Sequence, residues 1–152
     1  MKSFSDSQGR NWSIDINVDT LRRVKSQTDV DLTKLVDARN ETFQNVVQDY
    51  FLMFDLLHAL VEPQFSKHGI TGKEFGVALD EASLESAVRA LIEAVIDFFR
   101  EEKRLVLRKA FTKVMGAAER HQAEAIEKAN KELDSPQFDQ AVENAIGSMF
   151  GN

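Results

Sequence analysis

A chain of 152 residues, 43% apolar and 29% charged, has the length of one ordinary domain and enough apolar side chain for one real core. That balance lies far from the low-hydrophobicity, high-charge signature of disorder. The absence of cysteine excludes a disulfide framework, a thiolate nucleophile and any cysteine metal site and fits a reducing compartment, while the net charge of −6 mainly favours solubility.

The start, Met1-Lys2-Ser3-Phe4, has no apolar stretch after its lysine, so no signal peptide is expected. The oiliest run, Tyr50 to Val61, is interrupted by Asp55 and His58 and falls short of the roughly 20 residues needed to span a bilayer. Charge is uneven along the chain: residues 1–28 sum to +2, 29–99 to −8, 100–120 to +4 and 121–152 to −4.

Trp12, Ile14 and Ile16 alternate with Asn11, Ser13 and Asp15, the period of a strand with one buried face, and Phe4 can face them across a turn at Asp6-Ser7-Gln8-Gly9. A lone hairpin is marginal in water, so it must pack on the helices or extend a sheet in another subunit. Asn17 is placed to cap a helix carrying Val18, Leu21 and Val24, and Asp31 a second short turn with Leu32, Leu35 and Val36. From Thr42, the positions Phe43, Val46, Val47, Tyr50, Phe51, Phe54, Leu57 and Val61 follow helical spacing, with Leu52, Met53, Leu56 and Leu60 widening the apolar arc. This reads as one central, nearly surrounded helix ending around Pro63.

Thr71-Gly72-Lys73-Glu74 has the capping-box pattern and opens a helix with Phe75, Ala78 and Leu79 on one side. The next helix runs from about Ser83 to Phe99 with Leu84, Ala87, Val88, Leu91, Val95 and Phe98 inward, and Arg100 to Glu102 marks a bend. From Glu102 to Leu133 a narrow stripe of Leu107, Phe111, Val114, Ala118, Ala125, Ala129 and Leu133 predicts one long helix that thins toward alanine, so its end either projects or pairs with another copy. Ser135-Pro136 reads as an N-cap followed by an N1 proline, opening a last amphipathic helix with Phe138, Val142, Ile146, Met149 and Phe150, ended by Gly151-Asn152. The expected architecture is mainly α: a helical bundle with a small N-terminal β-hairpin and a long C-terminal amphipathic helix, residues 1–100 forming the hairpin and core and residues 101–152 the long and terminal helices of the same domain.

Few residues nominate chemistry. His58, His68 and His121 are far apart and lack paired metal-ligand spacing, and Asp29-Val30-Asp31 lacks the downstream Gly and Glu of a calcium loop. The seven glycines form no phosphate-cradling pattern, and Asp80-Glu81 reads as a solvated helix face rather than an acid/base pair. The expectation is therefore a non-enzymatic protein with no catalytic, cofactor or metal site. Arg100, Lys103, Arg104, Arg108, Lys109 and Lys113 form a basic band that could meet phosphates, or simply partner the chain's own carboxylates; the acidic balance of the whole chain argues against nucleic acid. The terminal Phe and Met set suits either a last core helix or a mobile helix that docks in a groove.

One resemblance spans roughly the first two thirds of the chain. Phe4-x-Asp6-x-x-Gly9-Arg10-x-Trp12, then Leu21-x-Arg23-Val24-Lys25 and Asp29-Val30-Asp31-Leu32, then Pro63, Gly69-Ile70, Glu74-Phe75-Gly76-x-Ala78-Leu79 and Asp97-Phe98-Phe99 resemble a group of small tail assembly chaperones encoded by bacteriophages and prophages. The resemblance implies a cytoplasmic protein of the bacterial host that binds the long, hydrophobic tape measure protein, keeps it soluble and assists tail assembly, without a cofactor and without membrane contact. Binding along an extended client further implies a homo-oligomer. On this reading Met149 and Phe150, then Leu133 and Phe138, are the candidate partner-contact residues. The alternatives from the same residues are a structural tail or head-completion protein retained in the virion, and a DNA-binding regulator using the band at 100–113.

Overall fold

The computed structural model describes residues 2–37 and 39–151; Asn152, the last residue of the predicted C-terminal stop, lies outside them. The elements are β1 (Lys2–Ser5), β2 (Asn11–Ile14), α1 (Val18–Thr28), a 3₁₀ turn (Leu32–Val36), α2 (Thr42–Val47), α3 (Tyr50–Val61), a second 3₁₀ turn (Glu62–Gln64), α4 (Phe65–His68), α5 (Gly72–Val77), α6 (Glu81–Phe98), α7 (Glu101–Leu133) and α8 (Pro136–Met149). The mainly α class with one antiparallel hairpin is as the sequence predicts. Two compact units divide the chain, Met1–Lys109 and Ala110–Asn152, and the division falls inside α7.

The first unit is organised around the hairpin. Phe4 pairs with Trp12, and both are buried together with Ile14, whereas Ile16 lies beyond the strand and is only half-buried. Asp6 holds the turn: its Oδ1 accepts from the backbone N–H groups of Gln8 (2.9 Å) and Arg10 (3.0 Å), and its Oδ2 from the Arg10 guanidinium (3.1 Å) and the Trp12 indole N–H (3.0 Å). Gly9 adopts φ of 78°, the left-handed conformation that the turn requires and that L side chains resist. Burial raises the Asp6 pKa, but the Trp12, Arg10 and Gln8 donors outweigh it and hold the carboxyl below its ordinary value.

Helices receive the sheet rather than a neighbouring strand. β1 lies against α6 and β2 against α3. The outer edge of β2 is occupied by side chains: the Gln64 amide donates to the Ser13 carbonyl (2.8 Å) and accepts from its N–H (3.0 Å), and His68 Nε2 sits 3.2 Å from the Asn11 carbonyl. Gln64 thus completes β2 as a strand residue would, which blocks the sheet extension into another subunit that the sequence left open at this edge. Trp12 packs edge-on against Phe65 and Phe75, with ring centroids 5.7 and 4.9 Å away, and tilted against His68 at 4.5 Å.

Local capping positions the helices. Asn17 and Thr20 form a reciprocal capping box on α1, Asp31 caps the first 3₁₀ turn, Thr71 accepts from the Glu74 N–H at α5, and Asp80 from the Ser83 N–H at α6. Arg23 of α1 donates to the carbonyls of Ala59 (2.9 Å) and Leu60 (3.2 Å), satisfying groups near the C-terminus of α3.

The single helix predicted from Thr42 to Val61 is broken. Asp49 takes an extended conformation and accepts from the Phe51 and Leu52 N–H groups (3.0 and 3.1 Å), ending α2 and capping α3. The break resets the helical phase, so Met53, Leu56, Leu57, Leu60 and Val61 are buried while Tyr50 and Phe51, predicted inward, are 56% and 84% exposed. Val18 and Phe98, also predicted inward, are exposed at the first and last turns of their helices. α6 carries the widest buried face, including Leu84, Ala87, Val88, Leu91, Ile92, Val95 and Ile96, and Phe99 in an extended conformation makes the bend before α7, slightly ahead of the expected Arg100 to Glu102, since Glu101 and Glu102 already belong to α7.

Replacing Asp6 by alanine leaves the Trp12 indole and the turn N–H groups without their acceptor, and is expected to lower unfolding free energy at pH 7 by about 3 kcal/mol, read from urea denaturation. Because folding lowers the Asp6 pKa, its charge-linked contribution is complete above the unfolded carboxylate value near 3.9 and is lost as pH falls through the folded value. The gap between wild type and Asp6→Ala is therefore expected to shrink below about pH 4, and a gap independent of pH between 7 and 2 would contradict this.

Candidate functional site

No described residue beyond Ile96 is buried, so the long and terminal helices offer surface rather than core. α8 begins as its sequence dictates: the Ser135 hydroxyl accepts from the Phe138 N–H (3.2 Å) and donates to the Glu132 carbonyl (2.7 Å), Pro136 occupies the first turn, and Asp139 places a negative charge at the N-terminal end of the helix dipole. Phe138, Val142, Ile146 and Met149 follow one another at helical spacing along one stripe and are 41%, 40%, 50% and 78% exposed, with Phe150 at 79%. Leu133 at the end of α7 is 49% exposed.

All four predicted contact residues, Leu133, Phe138, Met149 and Phe150, are thus exposed. Fully burying a side chain of this size contributes about 1.5–3 kcal/mol, and an isolated helix of this length is marginal in water. A face so constituted gains from a partner with a matching apolar stripe. It can bind; it offers no acid/base or nucleophilic chemistry.

Several of the remaining sequence candidates have structural partners. Asp80 is the cap of α6, and hydrogen bonds from the Ser83 hydroxyl and N–H hold its pKa below the usual value. Arg108 of the basic band reaches Asp97 (2.6 Å), and Lys103 lies 4.1 Å above the Phe99 ring, so these two cations are engaged within the first unit. His58 is half-buried beside Phe54 and Phe65 with Glu62 at 3.9 Å, His68 belongs to the Trp12 cluster, and His121 is exposed on α7. Among the described residues no group of three or more His, Asp or Glu is placed to hold a metal ion, and no helix is long and apolar enough to cross a membrane. A cleft of about 420 Å³ lined by Lys25, Asp29, Asp31 and Lys34 has its Lys25 and Asp29 charges paired at 3.3 Å and its Asp31 carboxylate committed to Thr33.

Periodicity missed a second set of exposed apolar side chains. Tyr50 and Phe51 begin α3, Val77 ends α5 at 78% exposure, and Leu105 and Val106 on α7 are 62% and 68% exposed. The one available signal was Asp49, an N-cap residue two positions ahead of Phe51.

Compared with known proteins, the chain matches no family model, and neither a curated protein nor a solved structure is significantly similar to it. Several of the residues on which a resemblance to tail assembly chaperones is expected have architectural roles: Phe4, Val24, Leu32 and Phe75 are core, Asp6, Gly9 and Arg10 make the turn, Arg23 caps α3, and Gly76 leaves room for Phe54, whose ring would lie 3.2 Å from an added Cβ, whereas Lys25, Asp29 and Phe98 of the same set are exposed.

Met149→Ser and Phe150→Ser are expected to change unfolding free energy by no more than about 0.5 kcal/mol, whereas Phe75→Ala, in the aromatic core, costs about 4 kcal/mol. Chemical denaturation of the three variants checks this, and a large loss at either terminal position would make α8 a core helix.

Proposed function

We propose that this protein is a non-enzymatic tail assembly chaperone of a phage or prophage, holding a tape measure protein soluble in the bacterial cytoplasm through reversible apolar contact and using no cofactor. The observation that carries the reading is the stripe from Phe138 through Phe150, an amphipathic helical face left open to solvent. The resemblance in residues 4–99 supplies the client: a long helical protein whose own apolar stripes need shielding. Such a face recognises a helix by its apolar side chains at i, i+3, i+4 and i+7, a loose code suited to many similar turns of one client.

Co-expression with the tape measure protein of the same gene neighbourhood, followed by size exclusion with light scattering, tests the proposal. The expected result is a newly soluble client eluting with several copies of this chain. Truncation after Asp134 is expected to abolish solubilisation and to remove from the circular dichroism only the helical signal of α8, while the Trp12 fluorescence of the core stays unchanged. A client that remains insoluble beside the intact chain overturns the chaperone reading, and recovery of the chain from purified virions replaces it with a structural tail component.

A further inference from the structure

The break at Asp49 leaves an aromatic pair standing at the start of a rigid helix. Tyr50 and Phe51 are held there by the Asp49 cap, and Phe54, one turn on, seats its ring against Gly76 beside the exposed Val77. Carboxylates border this patch: Asp49 at the cap and the exposed Asp55 one turn beyond Phe51. The segment from 29 to 99 that contains it has a net charge of −8.

A surface of opposite sign lies on α7. Leu105 and Val106 are exposed, and Lys109 and Lys113, one and two turns further along, lie on the same face, also exposed. Residues 100–120 hold seven Lys or Arg against three Glu. The two helices therefore present the same order of features, an apolar pair followed one turn later by a charge, anionic after Phe51 and cationic after Leu105. Laid side by side in the same direction, Tyr50-Phe51 meets Leu105-Val106, and Asp55 comes opposite Lys109.

We infer that a second copy of this chain docks the Leu105–Lys113 face of its α7 on the Tyr50–Phe51–Asp55 patch of α3. Apolar contact at the N-terminal ends supplies the attraction, and the charges fix direction and register. Every copy carries both halves, so the contact is available reciprocally or from copy to copy. It uses none of the terminal residues assigned to the client, stands independently of the chaperone reading, and is tested on the purified full chain alone.

Sedimentation velocity at low salt is expected to show self-association that weakens at least tenfold in about 0.5 M NaCl, where the screening length falls to a few ångströms. Asp55→Lys and Lys109→Glu are each expected to be monomeric alone, because each sets like charges face to face. Mixed in equal amounts they are expected to associate as the wild type does, since each variant's altered face then meets its complement. Phe51→Ser, at a position 84% exposed and therefore outside the core, is expected to abolish association without altering the circular dichroism spectrum. A wild type that stays monomeric at about 200 μM in low salt, charge variants that associate alone, a mixture that fails to restore association, or association that survives Phe51→Ser overturns the interface.

Discussion

A buried carboxylate is expensive unless its lone pairs are filled, and Asp6 fills them with four donors drawn from its own turn and from the indole of Trp12. That arrangement converts a two-stranded hairpin, marginal by itself, into a fixed platform. Because the indole N–H is tethered, the Trp12 ring is presented at one orientation to Phe65, Phe75 and His68, which belong to the helical turns after α3 and to α5. The Ser7 N–H then bonds the Ala78 carbonyl at 2.8 Å, tying the turn to the end of α5. The path of the chain from Pro63 to Leu79 is thereby set by contacts with a sheet made fifty residues earlier.

Elements whose signals are local were legible in the sequence. The turn at Asp6 to Gly9, the caps at Asn17, Asp31, Thr71 and Ser135, and the bend before α7 each depend on one side chain and its neighbours, whereas Asp80, read as part of a solvated helix face, is the cap of α6. The run from Thr42 to Val61 was misread because its hydrophobic spacing is continuous while its backbone is not. Asp49 wins locally by accepting two N–H groups, and the phase of everything after it changes. The candidate site followed the same division. The α8 stripe could be seen because it follows a clear cap and proline, whereas Phe51, Leu105 and Val106 could not, since apolar spacing does not distinguish a face turned to the core from one turned to solvent.

The residues that build the first unit and the residues that offer exposed apolar surface are different sets. The former fill the core, make the turn and seat helices on one another; the latter lie on helix faces with no structural burden. Such a separation leaves surface free to change without disturbing the scaffold. The neutralised cations near the bend illustrate the same economy: Arg108 and Lys103 serve Asp97 and Phe99, while Lys109 and Lys113 remain on the outer face.

Placing the hairpin at the very start of the described chain has a consequence for how the protein is made. β1 rests on α6, and Lys2 lies within 4 Å of both Glu93 and Asp97, so its resting place is the last part of the first unit's core to leave the ribosome. At translation rates of about 5–20 residues per second, a nascent hairpin waits roughly 5–20 s for α6 to be synthesised. During that interval Trp12 can find Phe65, His68 and Phe75 as α4 and α5 emerge, but the side of β1 that rests on α6 has no cover. Completion of α6 closes that window by covering β1, so this non-local pairing is the last step in forming the first unit's core.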